Sequence, residues 1–235
     1  MANLLTPTDI AALWLTMKLA AVSTFFLVIL ALPLAWWLSR FEHPVKSIVE
    51  AIIALPLVLP PTVLGFYLLI LLAPDTAMGE LWQWLFNRQL AFSFDALIIG
   101  SMIYSLPFVV QPIQQAFARV PQDLIQVYTS MGMTFWQRQR YLIVPLCRSS
   151  LVAALTLGFA HTIGEFGVVL MIGGNIPGET QVISIALYDH VETLNYTQAH
   201  VTSGILLVLS LAILITTYSR IGSPLRFVRR GSDDD

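Results

Sequence analysis

The chain has 235 residues, 57% of them hydrophobic and 11% charged, with a net charge of −2 and a mean hydropathy of +0.76. Soluble domains are about 45–50% apolar and about 25% charged, so this chain lacks the charge to cover a water-facing surface. That excludes a soluble globular enzyme, a disordered chain and a nucleic-acid-binding domain. The single Cys147 excludes an internal disulfide and a Cys-rich metal site.

Charge-free runs divide the sequence. Leu19 to Ser39 gives 21 residues, Ala51 to Pro74 gives 24, and Ala96 to Ala118 gives 23. From Ser149 the chain is apolar to Gly174, interrupted only by His161 and Glu165. Thr193 to Ser219 gives a final 27. A spanning helix needs about 20 predominantly apolar residues, and none of these runs alternates as a barrel strand does. The sequence therefore predicts an all-α membrane protein with five transmembrane helices, near 14–38, 50–73, 96–118, 149–173 and 200–219. Residues 1–220 form one transmembrane domain and 221–235 a cytoplasmic tail. The first span resembles a leader peptide in position, but its basic flank follows it and it is too long.

With the N-terminus outside, the inner segments carry Arg40, Lys46, Arg119, Arg138, Arg140, Arg148, Arg220, Arg226, Arg229 and Arg230, and the outer side keeps Lys18 and Arg88. Ten against two sets the expected orientation, with the C-terminus cytoplasmic. Trp82 and Trp84 then fall in an outer loop suited to an interfacial helix. The sequence shows no internal repeat, which weakens an inverted-repeat transporter reading.

The longest inner loop, 119–148, predicts two short helices. Pro121 suits a first helical position and Asp123 the first turn. Leu124, Val127, Tyr128 and Met131 recur at helical spacing. Gly132 is placed to end that helix in the left-handed conformation. Thr134 and Gln137 form a capping box for a second helix, expected to stop at Pro145. The pattern fits an amphipathic interfacial hairpin or a docking element for a cytoplasmic partner.

Within this loop, Gln126-Val127-Tyr128-Thr129-Ser130-Met131-Gly132 followed by Leu142-Ile143-Val144-Pro145 resembles the coupling loop of ABC-importer permeases. Gly132 and Pro145 keep the thirteen-residue spacing of that family. Its leading Glu-Ala-Ala is replaced by Gln126-Val127-Tyr128, which removes an acidic contact but not the helix–Gly–helix shape. Ile163-Gly164-Glu165-Phe166-Gly167, Gly174 through Gln181, and Leu55-Pro56-Leu57-Val58-Leu59-Pro60-Pro61-Thr62-Val63 resemble the molybdate/tungstate permeases of that class. The resemblance spans roughly residues 12–220 and implies a type I importer fold. It further implies a homodimer in the cell inner membrane, two cytoplasmic ATPase subunits carrying ATP and Mg, and an external binding protein that delivers the oxyanion. Coupling to the ATPase would fall to Gln126, Val127, Tyr128, Gly132, Leu142 and Pro145. The chain itself would bind no cofactor or metal and catalyse no reaction.

A divalent oxyanion is costly to desolvate, yet no Lys or Arg lies deep in any span. A conduit opened by alternating access, with selectivity held by the binding protein, accommodates this absence. Pro60, Pro61 and Thr62 mark a gate candidate because prolines break the helix. His161 and Glu165, at i and i+4, are expected on one helix face, either at the gate or as a buried pair that fixes packing. Ala154 with Gly158, and Ala160 with Gly164, are small-xxx-small pairs that Gly167 extends, for the dimer axis or for packing inside the subunit. Asn175 to Gly178 is turn chemistry, while His190 and His200 read as ordinary loop histidines. Sulfate and tungstate stand as alternative cargoes. An ion-coupled transporter and an intramembrane metalloenzyme are remoter alternatives. The chain carries no Gly-x-x-x-x-Gly-Lys-Ser/Thr loop, so ATP hydrolysis needs a partner.

Overall fold

Thr6 opens the first helix. Its hydroxyl accepts from the Asp9 N–H and the Asp9 carboxylate accepts from the Thr6 N–H, closing a capping box ahead of α1 (Pro7–Arg40). The structure is a computed structural model that describes residues 5–221, with side chains through 219. The expected tail beyond it, with Arg226, Arg229 and Arg230, lies outside the described residues, as does the Arg220 side chain.

At 34 residues, α1 is about 51 Å long, well beyond a hydrocarbon core of about 30 Å. Before Lys18 the helix packs on α10 (Ile183–Glu192). There the Thr16 hydroxyl accepts from the Ile183 N–H at 2.8 Å, and buried Asp9 meets His190 Nε2 at 2.8 Å.

The second span is bent. α2 (Val45–Val58) and α3 (Pro61–Leu71) meet at 115° across Leu59 and Pro60. Neither Pro60 nor Pro61 has an N–H to donate, so the intrahelical ladder cannot run through them. Four other helices are long and apolar enough to cross a membrane, giving five spans when the bent pair counts as one.

The segment between the second and third spans holds α4 (Ala77–Phe86), capped by Thr76 and ended by Asn87 in the left-handed region. α4 is a helix where one was expected around Trp82 and Trp84, and it leaves Leu81, Trp84, Leu85 and Phe86 exposed. α5 (Phe94–Ala118) is the central helix of the subunit and packs on α1, α2 and α8.

The 119–148 loop is a helical hairpin of α6 (Gln122–Ser130) and α7 (Phe135–Arg138), with Gly132 at φ +78° between them. The capping box of Thr134 and Gln137 forms as expected. Pro145 does not stop the second helix. α7 continues through a π-helical turn, Gln139–Ile143, directly into α8 (Val144–Ile163). Val144 donates to the Gln139 carbonyl five residues back, and this wider turn accommodates a proline that cannot donate to its own i−4 carbonyl.

The fourth span expected from the sequence is also broken, past the end of a helix that is itself long enough to cross. α8 ends with Gly164 as its cap, and α9 (Gly167–Gly173) begins after Phe166. The single helix expected over 149–173 is therefore two, and it starts earlier than expected. α10 follows the outer turn, and α11 (Tyr196–Ile221) returns against α10 and α8.

Beside two small clusters, two larger apolar cores form among the described residues. One joins Leu27, Ala31, Ala35 and Leu38 of α1 to Val109, Val110 and Ile113 of α5 and Ala154 of α8. The other joins Leu19, Leu68, Leu97, Val168, Val169 and Ile172. Phe25, Ile29, Leu207, Val208 and Leu211 face outward, as suits a lipid-facing surface.

Candidate functional site

The two broken spans pack break against break. α3 lies along α9, and glycines make the approach possible. A Cβ on Gly167 would stand 2.8 Å from Pro61 Cβ, and one on Gly65 would stand 2.7 Å from Met171 Cβ. Beside this crossing lies a cavity of about 520 Å³ lined by Pro61, Thr62, Tyr104, His161, Glu165 and neighbouring backbone.

His161 and Glu165 share this cavity, but not by helical spacing. Because α8 ends at Ile163, Glu165 sits in the break, and the expected single face does not exist. His161, on the last turn of α8, bonds through Nδ1 to the Ser105 hydroxyl at 2.9 Å. Its ring stacks on Phe108 at 4.0 Å between centroids and tilts against Tyr104 at 4.8 Å. Glu165 is 3% exposed, and neither carboxyl oxygen makes a hydrogen bond among the described residues. Its carbonyl accepts from the Ser184 hydroxyl at 2.5 Å, which ties the break to α10. Thr62, in the first turn of α3, is exposed beside Pro60 and Pro61.

Three of the small residues, Ala154, Gly158 and Gly167, make close contacts inside the subunit. Ala154 is fully buried in the α1–α5–α8 core, and a Cβ on Gly158 would meet Val109 Cγ2 at 2.5 Å. Gly167 faces Pro61, whereas a Cβ on Gly164 would find nothing nearer than 3.8 Å. Ala160 lines the cavity.

At the end of the bundle near Arg40 and Val120, the hairpin has no buried residue in α6. Gln126, Val127 and Gly132 are exposed, as are Met131 and Trp136. Tyr128 is half-buried and packs with Ile125 on the inner core. Leu142 is buried at the π-turn, and Pro145 is exposed on α8. The hairpin is fixed to the spans. Phe135 meets Trp36 edge-to-face at 6.0 Å, Trp36 meets Phe117 at 5.5 Å, and Arg40 donates to the Phe117 carbonyl at 3.1 Å. Arg138 donates to the Thr129 hydroxyl, closing α7 onto α6. These contacts join the hairpin to α1 and α5, and the π-turn joins it to α8.

In the turn after α9, Asp189 accepts both Asn175 Nδ2 and Gln181 Nε2, and Thr180 bridges the Gly173 carbonyl and the Ile176 N–H. His190 is the partner of Asp9 rather than an ordinary loop residue, and His200 is exposed. Among the described residues, no three His, Cys, Asp or Glu side chains converge as metal ligands.

Residues 20–224 match the family described as binding-protein-dependent transport system inner membrane component. The chain belongs to this family of transporter membrane subunits. Within it, the chain is 46% identical to the molybdenum transport system permease protein ModB of Azotobacter vinelandii, over 90% of this chain and 93% of that protein. It is 29% identical to the sulfate transport system permease protein CysT of Escherichia coli, over 92% and 79%. The fold is that of solved ABC importers. A bacterial alginate importer superposes with a TM-score of 0.74 at 17% identity, over 92% of this chain and 80% of that one. Its complex with a substrate-bound periplasmic protein gives 0.70 at 17%, over 90% and 77%. The segments that resemble this class in sequence, 55–63, 163–167 and 126–145, are thus the two breaks and the hairpin of the fold.

Proposed function

We propose that this chain is the membrane-spanning permease of an ATP-driven importer for molybdate, moving an oxyanion that an external binding protein delivers. The observation that carries the cargo is the 46% identity to a molybdenum permease over nearly the full length of both chains, against 29% for a sulfate permease. Two copies would form the pore in the cell inner membrane, with the N-terminus outside by the distribution of Lys and Arg. ATP and Mg would be held by two partner ATPases docked under the hairpin, which presents Gln126, Val127, Met131 and Trp136.

In this reading, the crossing of the two broken spans is the gate. Irregular backbone at membrane depth is tolerated where it meets protein or water, and here it borders a cavity without Lys or Arg. Thr62 and Tyr104 present neutral hydroxyls to a passing oxyanion, a weak lining from which the cargo can leave. Glu165 belongs to the gate. Its carboxyl makes no hydrogen bond among the described residues, and the Ser101 hydroxyl beside it is also unpaired, so an arrangement that brings such a donor into range gains stability relative to this one.

The test is molybdate uptake by proteoliposomes containing the complete complex. Glu165→Gln should alter the transport rate with assembly intact. Unchanged rates would return Glu165 to a packing role.

A further inference from the structure

The two basic residues expected on the outer side stand seventy positions apart in sequence, yet they line one cavity. This cavity, of about 560 Å³, is bordered by Leu15, Lys18, Arg88, Phe92, Phe94 and Glu179 among others. Its parts come from α1, from the segment joining α4 to α5, and from the turn after α9.

The turn residues shape it. Phe92, at φ +59°, donates its N–H to the Ile172 carbonyl at 3.0 Å, which folds the α4–α5 segment onto α9. Gly178, at φ +79°, has no atom within 4 Å of where a Cβ would stand, so the opposite lip is low and open. Ser93 caps α5 and fixes Phe94 at the helix start.

The charges are unevenly satisfied. Arg88 pairs with Asp95 at 2.6 Å. Lys18 has no carboxylate within 4 Å among the described residues, and its ammonium lies 4.5 Å from the Phe94 ring centroid. Glu179 is exposed on the lip. An ammonium held over an aromatic face beside open space offers one unmatched positive charge.

We propose that this cavity is a docking socket for a loop of the external binding protein, one that sets an Asp or Glu carboxylate on Lys18. The surroundings select a protein loop over the free oxyanion. Leu15, Phe92 and Phe94 supply apolar wall that a hydrated anion leaves unused, and Glu179 repels a bare dianion while matching a basic residue on the same loop. Because the socket joins α1 to the turn after α9, a docked loop touches both the longest span and the element packed on the gate.

This inference rests on the importer reading, and the experiment separates the two. ATP hydrolysis by the complete complex in proteoliposomes is measured against increasing molybdate-loaded binding protein at low and high NaCl. For Lys18→Glu, the concentration giving half-maximal stimulation should rise about tenfold at low salt, the usual direction for reversing a docking charge. The rate at saturation and the unstimulated rate should stay unchanged. Lys18→Gln should give a smaller rise, and high salt should bring all three proteins together. An unchanged half-maximal concentration in both variants overturns the socket. A variant defect that appears only with free molybdate, without binding protein, also overturns it and assigns the cavity to the oxyanion. A wild-type complex that the binding protein does not stimulate defeats the importer reading itself.

Discussion

Two glycines three residues apart allow a sharp test of the crossing between the broken spans. A methyl on Gly167 would stand 2.8 Å from the rigid Pro61 ring, against an ordinary contact of 3.4–4 Å, and 3.7 Å from the Thr62 nitrogen. Either α3 or α9 must retreat by about 0.6 Å or more, and overpacking of this kind costs about 1–3 kcal/mol. A methyl on Gly164 meets nothing nearer than 3.8 Å, and its φ of −85° suits any residue. Gly167→Ala should therefore lower the unfolding midpoint of the detergent-solubilised protein by several degrees, since 1 kcal/mol is worth about 2–4 °C at this chain length. It should also reduce molybdate uptake, while Gly164→Ala leaves both within error of wild type. Near-infrared-detected or fluorescence-based thermal unfolding, run beside uptake in proteoliposomes, reads both quantities. Equal tolerance of the two substitutions would refute the tight packing of α3 on α9.

Three further outcomes are expected. Gly132→Ala forces a Cβ into φ +78° at a cost of about 1–2 kcal/mol, so it should lower binding-protein-stimulated ATP hydrolysis and also lower the unfolding midpoint by about 2–8 °C. Breaking the link between α1 and α10 with His190→Ala removes a partner from an Asp9 that is 1% exposed. Stability should fall by about 1.5–3 kcal/mol, the range for hydrogen bonds to charged groups, as measured by thermal unfolding. Asp189→Ala releases Asn175 and Gln181 together, and hydrogen exchange across residues 174–181 should accelerate relative to Asp189→Asn, which keeps one acceptor.

The spans were legible because lipid demands long uncharged runs, and the runs ending at Ser39, Pro74 and Ala118 fall within a few residues of helices or a bent pair. The hairpin was legible for local reasons. Gly132 and the Thr134–Gln137 box act over three or four residues, a range that sequence displays directly. What failed was continuity. Hydropathy does not register backbone direction, so Gly164-Glu165-Phe166 read as more helix, and His161 with Glu165 was placed on a face that ends at Ile163. Pro145 read as a stop because a proline removes one donor, but a π-turn just before it lets the helix pass. Pairings across 56 or 181 residues, Ser105 with His161 and Asp9 with His190, had no local signal at all. The convergence of Lys18 and Arg88 likewise depends on folding of the outer turns.

The central claim is that this chain is a gate driven from its inner face by separate ATPases. Radiolabelled molybdate uptake should be measured in proteoliposomes holding the chain with and without its ATPase subunits, in the presence of loaded binding protein. The account predicts accumulation only with both the ATPase and hydrolysable ATP, and loss of that accumulation when the Gln126–Pro145 hairpin is altered so that the ATPase no longer co-purifies. Accumulation by the chain alone, driven by an ion gradient and indifferent to the hairpin, would contradict it.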